Sequence, residues 1–143
     1  GLSEHVKLLG YARNPFAIIN HAEMFVSPSH CEGFPNAIAE SMVLGVPVVS
    51  TDCPSGPAEL LDEVESVDFD GVHAGKHGML VPVGRPTLLA DAMQRMSVPG
   101  MRKHYSSMAR RRMDNFRIET ITAQFWAMFD ELAATRASAA RAI

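Results

Sequence analysis

The chain has 143 residues, 47% of them apolar, which is enough for one domain with a packed core. Its net charge of −3 argues against a nucleic-acid binder, which carries a basic balance. No apolar run approaches a membrane span, residues 1–10 lack the charged start and apolar core of a signal peptide, and Cys31 and Cys53 lack zinc-ligand spacing, so a reduced cytosolic setting is the simple reading.

"VKLLGY" (6–11) is a short apolar run ended by Gly10, a candidate strand. In "NPFAIINHA" (14–22), Asn14 suits an N-cap and Pro15 the first helical position. "EMFVSPS" (23–29) reads as a buried strand broken at Pro28. "PNAIAESMVLG" (35–45) is a helix opened by Pro35 and closed by Gly45. "VPVVSTD" (46–52) is a valine-rich strand, and "SGPAELLDEV" (55–64) a short helix with Ser55 or Gly56 near its cap. Residues 65–78 read as a polar loop, 78–83 as a fourth strand, and 86–96 as a helix with Leu88, Leu89, Ala92 and Met96 inward. The remainder is helical: 100–116 with Met101, Tyr105, Met108 and Ala109 as its apolar positions, then 117–143 with a stripe through Ile118, Ile121, Phe125, Trp126, Phe129 and Leu132. The last ten residues, alanine-rich with Arg136 and Arg141, are expected to fray.

Strands alternating with helices predict an α/β fold: a Rossmann-like parallel sheet with helices on both faces and a helical C-terminus. In such sheets ligands bind beyond the carboxyl ends of the strands. That edge takes three loops: Gly10 to Asn14, Pro28 to Asn36, and Thr51 to Gly56.

The middle loop belongs to "SHCEGFPNAIAESMVLG" (29–45), where seven residues separate Glu32 from Glu40. A helix N-terminus presents unpaired N–H donors and a positive dipole end, and Gly33 lets a phosphate or hydroxyl approach the backbone. Glu40 shares a helix face with Asn36, and a carboxylate there suits the two adjacent hydroxyls of a ribose. Glu32, before the turn, stands near whatever is bound beside the phosphate. The pattern describes a nucleotide-sugar. Taken singly, each glutamate has a plainer reading: a glutamate near a helix start is often a capping or dipole partner, and one within a helix is usually solvated. The surrounding string raises the functional reading.

"SHCEGFPNAIAESMVLGVPVVSTDCPSGPAELL" (29–61) resembles the Glu-x7-Glu region of retaining glycosyltransferases of family 4, which have the GT-B fold. The resemblance extends upstream through "VKLLGYARNPFAIINHAEMFVSPS" and downstream through "HGMLVPVGRPTLLADAM", roughly residues 5 to 130. It implies that residues 1–143 are one partial nucleotide-sugar-binding domain, part of the C-terminal half of a GT-B fold, with C-terminal helices at 100–143. It implies a ribose-binding role for Glu40 and a place for Glu32 beside the donor sugar and reaction centre. Gly33, Phe34, Pro35 and Asn36 match the turn that holds sugar hydroxyls and phosphate. Tyr11, Ala12, Arg13 and Asn14 match the loop that meets the nucleobase, and Thr51 to Pro57 match a loop near the site. The variants "GYARNP", "EGFPN" and "TDCPSGP" look most like the subgroup using UDP-hexoses or UDP-N-acetylhexosamines.

The implied partners are a nucleotide-sugar donor and a glycan or lipid-linked acceptor, with no metal or other cofactor, and the implied location is cytoplasmic. The family's N-terminal domain and its basic pyrophosphate residues precede the matched region. The resemblance assigns the four strands to the last four of a six-stranded sheet of order 3-2-1-4-5-6, which leaves the run at Val6–Leu9 without a neighbour while the other three remain adjacent. Arg85 and Pro86 stand where many relatives place an acidic residue, and His30 and Cys31 replace a common basic-aromatic pair.

Cys31 and Cys53 read as spectator thiols, and Phe125, Trp126 and Phe129 as core residues unless that stripe has lost a partner domain. The basic stretch Arg102, Lys103, Arg110, Arg111 and Arg112 reads first as a solvated helix face; its functional alternative is peripheral contact with an anionic membrane or a lipid-diphosphate acceptor. Two functional classes stand: a glycosyltransferase, and a nucleotide-sugar-binding module or inactive fragment. Glu32 and Glu40 favour the first.

Overall fold

The computed structural model describes the chain through Arg141, with side-chain surroundings through residue 136. Its strands are β1 (Phe25–Ser27), β2 (Val48–Thr51), β3 (His73–Ala74) and β4 (Met79–Val81). Its helices are α1 (Pro15–Ile19), α2 (Asn36–Leu44), α3 (Pro57–Asp62), α4 (Pro86–Met96), α5 (Pro99–Met113) and α6 (Ile118–Arg141), with a 3-10 turn at Asp114–Phe116. The sheet order is β1-β2-β4-β3. β1 and β2 pair in parallel with Val26 opposite Val49, and β2 and β4 in parallel with Ser50 opposite Leu80.

The strand period of two sorts the core onto two faces. Val48 and Leu80 pack with Ile38 and Met42 of α2 and with Leu60 and Leu61 of α3. Val49, Met79 and Val81 pack on the opposite face with Ala92 and Met96 of α4 and Tyr105 of α5. Burial of each of these Val, Leu, Ile and Met side chains contributes about 1.5–3 kcal/mol. Helix α5 joins the two layers, because its Tyr105 enters one cluster while Ala109 and Met113 enter the other.

Local chemistry sets the helix ends. The Asn14 side chain accepts from the Ala17 amide at 3.3 Å, which caps α1. Gly45 ends α2 at φ 74°, and the Arg110 guanidinium fills the space a Cβ would need while donating to the Leu44 carbonyl at 3.0 Å.

Several expectations are corrected. Residues 6–10 form no strand; they are exposed, and among the described residues none of them pairs with another strand, the Val6 amide donating instead to the Leu2 carbonyl at 2.9 Å. The other three expected strands are adjacent, as anticipated. The 65–78 loop contains β3, which pairs antiparallel to β4 at His73 and Ala74. Phe125, Trp126 and Phe129 are exposed, at 54%, 65% and 53%, because among the described residues no apolar surface covers this face of α6. The basic stretch is only partly a solvated face: Arg112 donates to the Glu59 carbonyl at 2.8 Å, and Arg102 bonds the Ser97 carbonyl. Helix α1 is also shorter than expected, and α5 gives way to the 3-10 turn at Asp114. The expected fraying falls on residues 134–143, most of which lie outside the described side chains.

A polar cluster closes the C-terminus of α3. Asp62 accepts from the His73 ring N–H at 2.8 Å and from the Lys76 amide at 3.0 Å. Glu63, in a left-handed conformation at φ 62°, accepts from Lys76 at 2.9 Å and Arg112 at 3.2 Å. Burial alone raises the Asp62 carboxyl, but the His73 and Lys76 hydrogen bonds outweigh it and hold the group below its ordinary value. A depressed carboxylate contributes stability above its unfolded pKa of about 3.9, lost as pH falls through the folded value. The urea midpoint should therefore fall on acidification below about pH 4, and Asp62→Asn should flatten that fall. An equal acid slope in wild type and mutant would remove Asp62 from the account.

Candidate functional site

The loops leaving β1 and β2 are hydrogen-bonded to each other at the carboxyl edge. The Glu32 amide donates to the Pro54 carbonyl at 2.8 Å, and the Ser55 amide donates to the Glu32 carbonyl at 3.0 Å. The Ser55 hydroxyl adds a bond to the Gly33 carbonyl at 3.1 Å. Gly56, at φ 101°, passes so close to Pro35 that a Cβ would collide with the ring. The buried Thr51 hydroxyl donates to the Ser29 carbonyl.

The Glu32 side chain, half-buried, accepts from the Ser29 hydroxyl through Oε1 at 2.6 Å. The Ser27 hydroxyl lies 3.2 Å from that of Ser29. The turn Gly33–Phe34–Pro35 then delivers the chain to α2. Pro35 is buried and gives α2 no side-chain cap.

Glu40 lies one helical turn beyond Asn36. Both line an open groove of about 760 Å³ with Phe34 on one wall. Arg110, Arg111, Phe116 and Arg117 form the other wall. The Phe34 and Phe116 ring centroids are 6.1 Å apart, and the Arg112 guanidinium lies 4.9 Å from the Phe116 centroid. Such a groove presents carboxylate and amide acceptors to hydroxyls, with an aromatic ring on each wall and guanidinium donors for an anion.

The structure thus brings Phe34, Asn36 and Glu40 together. Glu32 stands apart from that lining, on the hydrogen-bonded loops. Tyr11 is 93% exposed and Arg13 is exposed, while Asn14 serves α1 as its cap. Among the described residues, no hydrogen bond joins 11–14 to Glu32 or Glu40. A smaller cavity of about 190 Å³ lies at the same edge, lined by residues including His30, Thr51, Gly84 and Arg85.

Sequence reasoning passed over Ser29, although a hydroxyl three residues before Glu32 was a visible signal. It also missed the arginine wall, whose residues are about 70 positions from Glu40 and carry no local mark of it. Burial pushes the Cys53 thiol up, with the nearby Glu32 charge acting in the same direction, so Cys53 suits packing better than nucleophilic chemistry. No group of three or more His, Cys, Asp or Glu able to hold a metal ion occurs among the described residues. No described helix is long and apolar enough to cross a membrane.

Comparison with known proteins matches residues 1–97 to the family of glycosyl transferases group 1. An uncharacterised glycosyltransferase of Methanocaldococcus jannaschii is 36% identical over 87% of this chain and 35% of its own length. The N-acetylgalactosamine-N,N'-diacetylbacillosaminyl-diphospho-undecaprenol 4-alpha-N-acetylgalactosaminyltransferase of Campylobacter jejuni is 32% identical over 80% of this chain and 29% of its own. A Staphylococcus aureus TarM mutant, solved in complex with fondaparinux, alpha-GlcNAc-glycerol and UDP, superimposes with a TM-score of 0.71 at 24% identity, covering 90% of this chain and 24% of that one. The likeness supports the α/β fold of GT-B glycosyltransferases. The chain spans about a third or less of the length of these relatives.

Proposed function

The chain belongs to the family of glycosyl transferases group 1, and from that premise we propose that it is part of the donor-binding half of a retaining family 4 enzyme. In this reading the full protein moves a hexose or N-acetylhexosamine from a nucleotide-sugar, a UDP-sugar first, to a glycan or lipid-linked acceptor. The observation that carries it is the arrangement at the carboxyl edge. Glu32 is fixed by the paired loops, an uncapped helix N-terminus follows, and Glu40 with Asn36 lines the adjoining groove. The Campylobacter relative's named reaction and the UDP in the TarM complex support the donor and acceptor classes.

Each residue then has a task. Glu40 accepts the two ribose hydroxyls. The α2 N-terminus and the amides of Gly33 and Phe34 meet the pyrophosphate, whose charge grows as it leaves. Glu32 orients the donor sugar and stabilises the oxocarbenium-like state. The leaving phosphate takes the acceptor proton on the same face, which retains the anomeric configuration. Tyr11, Arg13 and Asn14 approach the base. The reaction uses no metal, because backbone amides and the helix end supply the positive field. A cytoplasmic location, with peripheral membrane contact through the arginines of α5, accords with two free cysteines.

A second reading, a nucleotide-sugar-binding module without catalysis of its own, is favoured by the exposed stripe of α6 and the unpaired residues 6–10.

Two substitutions in the full-length protein test the first reading. Glu40→Ala should weaken binding of UDP, measured by calorimetry, by about 1–3 kcal/mol for lost charge-assisted hydrogen bonds. Unchanged affinity in a folded mutant would remove Glu40 from the site. Glu32→Gln should lower turnover far more than UDP affinity, because its partner is the sugar at the reacting centre. Wild-type turnover in that mutant, or activity abolished by a chelator and restored by a divalent metal, would contradict the mechanism.

A further inference from the structure

The Ser29 hydroxyl carries one hydrogen, and an ionised carboxylate can only accept. The 2.6 Å contact therefore fixes the direction of the bond: Ser29 donates to Glu32 Oε1. The Ser29 oxygen is then free to accept, and the Ser27 hydroxyl 3.2 Å away is placed to donate to it. A one-way relay runs from Ser27 through Ser29 to Glu32.

The base of this relay is rigid. Ser27 and Thr51 are 8% and 4% exposed, and Ser27 is held in register opposite Ser50. The Thr51 hydroxyl bonds the Ser29 carbonyl, fixing the backbone that presents the Ser29 side chain. Among the described residues, Ser29 is the one side chain that hydrogen-bonds the Glu32 carboxylate, and it does so through Oε1 alone. A glutamate on a loop loses side-chain entropy when held in one rotamer. A short bond to a sheet-anchored hydroxyl orders it before substrate arrives.

We propose that Ser29 is a positioning residue for Glu32: it anchors one carboxylate oxygen so that the other faces the donor sugar in a fixed orientation. The proposal rests on the reading of Glu32 given above. A plain loop staple makes a different claim, since it would affect stability without depending on the carboxylate.

The test uses the full-length protein and whichever of UDP-glucose, UDP-galactose, UDP-N-acetylglucosamine and UDP-N-acetylgalactosamine the wild type hydrolyses fastest. Ser29→Ala should lower kcat about ten- to a hundredfold while UDP affinity by calorimetry stays within about twofold. Ser29→Thr, which keeps the hydroxyl, should recover most of the loss. On a Glu32→Ala background, Ser29→Ala should cause little further loss, because the two act as one unit. If Ser29→Ala does not fold, Ser29→Cys, of similar size but a weak donor, should give the same pattern. A folded Ser29→Ala or Ser29→Cys protein with wild-type kcat, or losses that multiply with Glu32→Ala, would overturn the proposal while leaving Glu32 in place. Full activity in Glu32→Ala, or a wild type that turns over none of the four donors, would instead remove the reading beneath it, and the proposal with it.

Discussion

The carboxyl edge depends on the hydrogen bonds between the loops that leave β1 and β2. Parallel neighbours end at the same level, so their departing chains leave amides and carbonyls without sheet partners. Here the Glu32 amide and carbonyl are both taken up by Pro54 and Ser55, and the Ser29 carbonyl by Thr51. The loop that carries Glu32 is thereby tied to the sheet at two levels. Gly56 permits this, because its missing side chain leaves room for Pro35 against the second loop. Under the proposed function, a position that holds a carboxylate against a reacting sugar needs such support, since a loop without it would sample many geometries.

Most of the architecture was legible because the valine-rich runs and the proline and glycine punctuation act locally. Pro15, Pro57 and Pro86 stand in the first turns of their helices, and Gly45 closes α2. The short edge strand at His73–Ala74 was not legible: two residues between Val72 and Gly75 gain strand character from pairing with β4, which no local pattern announces. The run at Val6–Leu9 erred the other way. Its apolar run favours a strand, but strand structure is a property of pairs, and among the described residues no strand pairs with residues 6–10.

The site divided along the same line. The spacing of Glu32, Asn36 and Glu40 could be read as a loop followed by one helix face, and Asn36 and Glu40 do share a groove. The opposite wall could not, since it is made by α5 and the 3-10 turn folding back beside α2. The arginines read as a solvated stripe owe their positions to this return. Arg110 is held by the last carbonyl of α2, and Arg112 by the Glu59 carbonyl and the Glu63 carboxylate. Cations at a helix C-terminus complement its dipole, so residues that shape the groove also hold α5 against its neighbours.

The two glutamates are supported independently. Glu40 sits on a helix whose inner face, Ile38 and Met42, is locked into the core. Glu32 sits on a loop held by Ser29, Thr51, Pro54 and Ser55, none of which lines the groove of Glu40. Side chains without shared partners usually respond to substitution almost additively. Under the proposed function, that independence separates recognition of the nucleotide from alignment of the sugar. The groove at α2 can then be altered for a different nucleotide without disturbing the hydroxyl that aims Glu32. A change in the Ser27–Ser29 relay acts on the sugar end while the ribose contact stays intact.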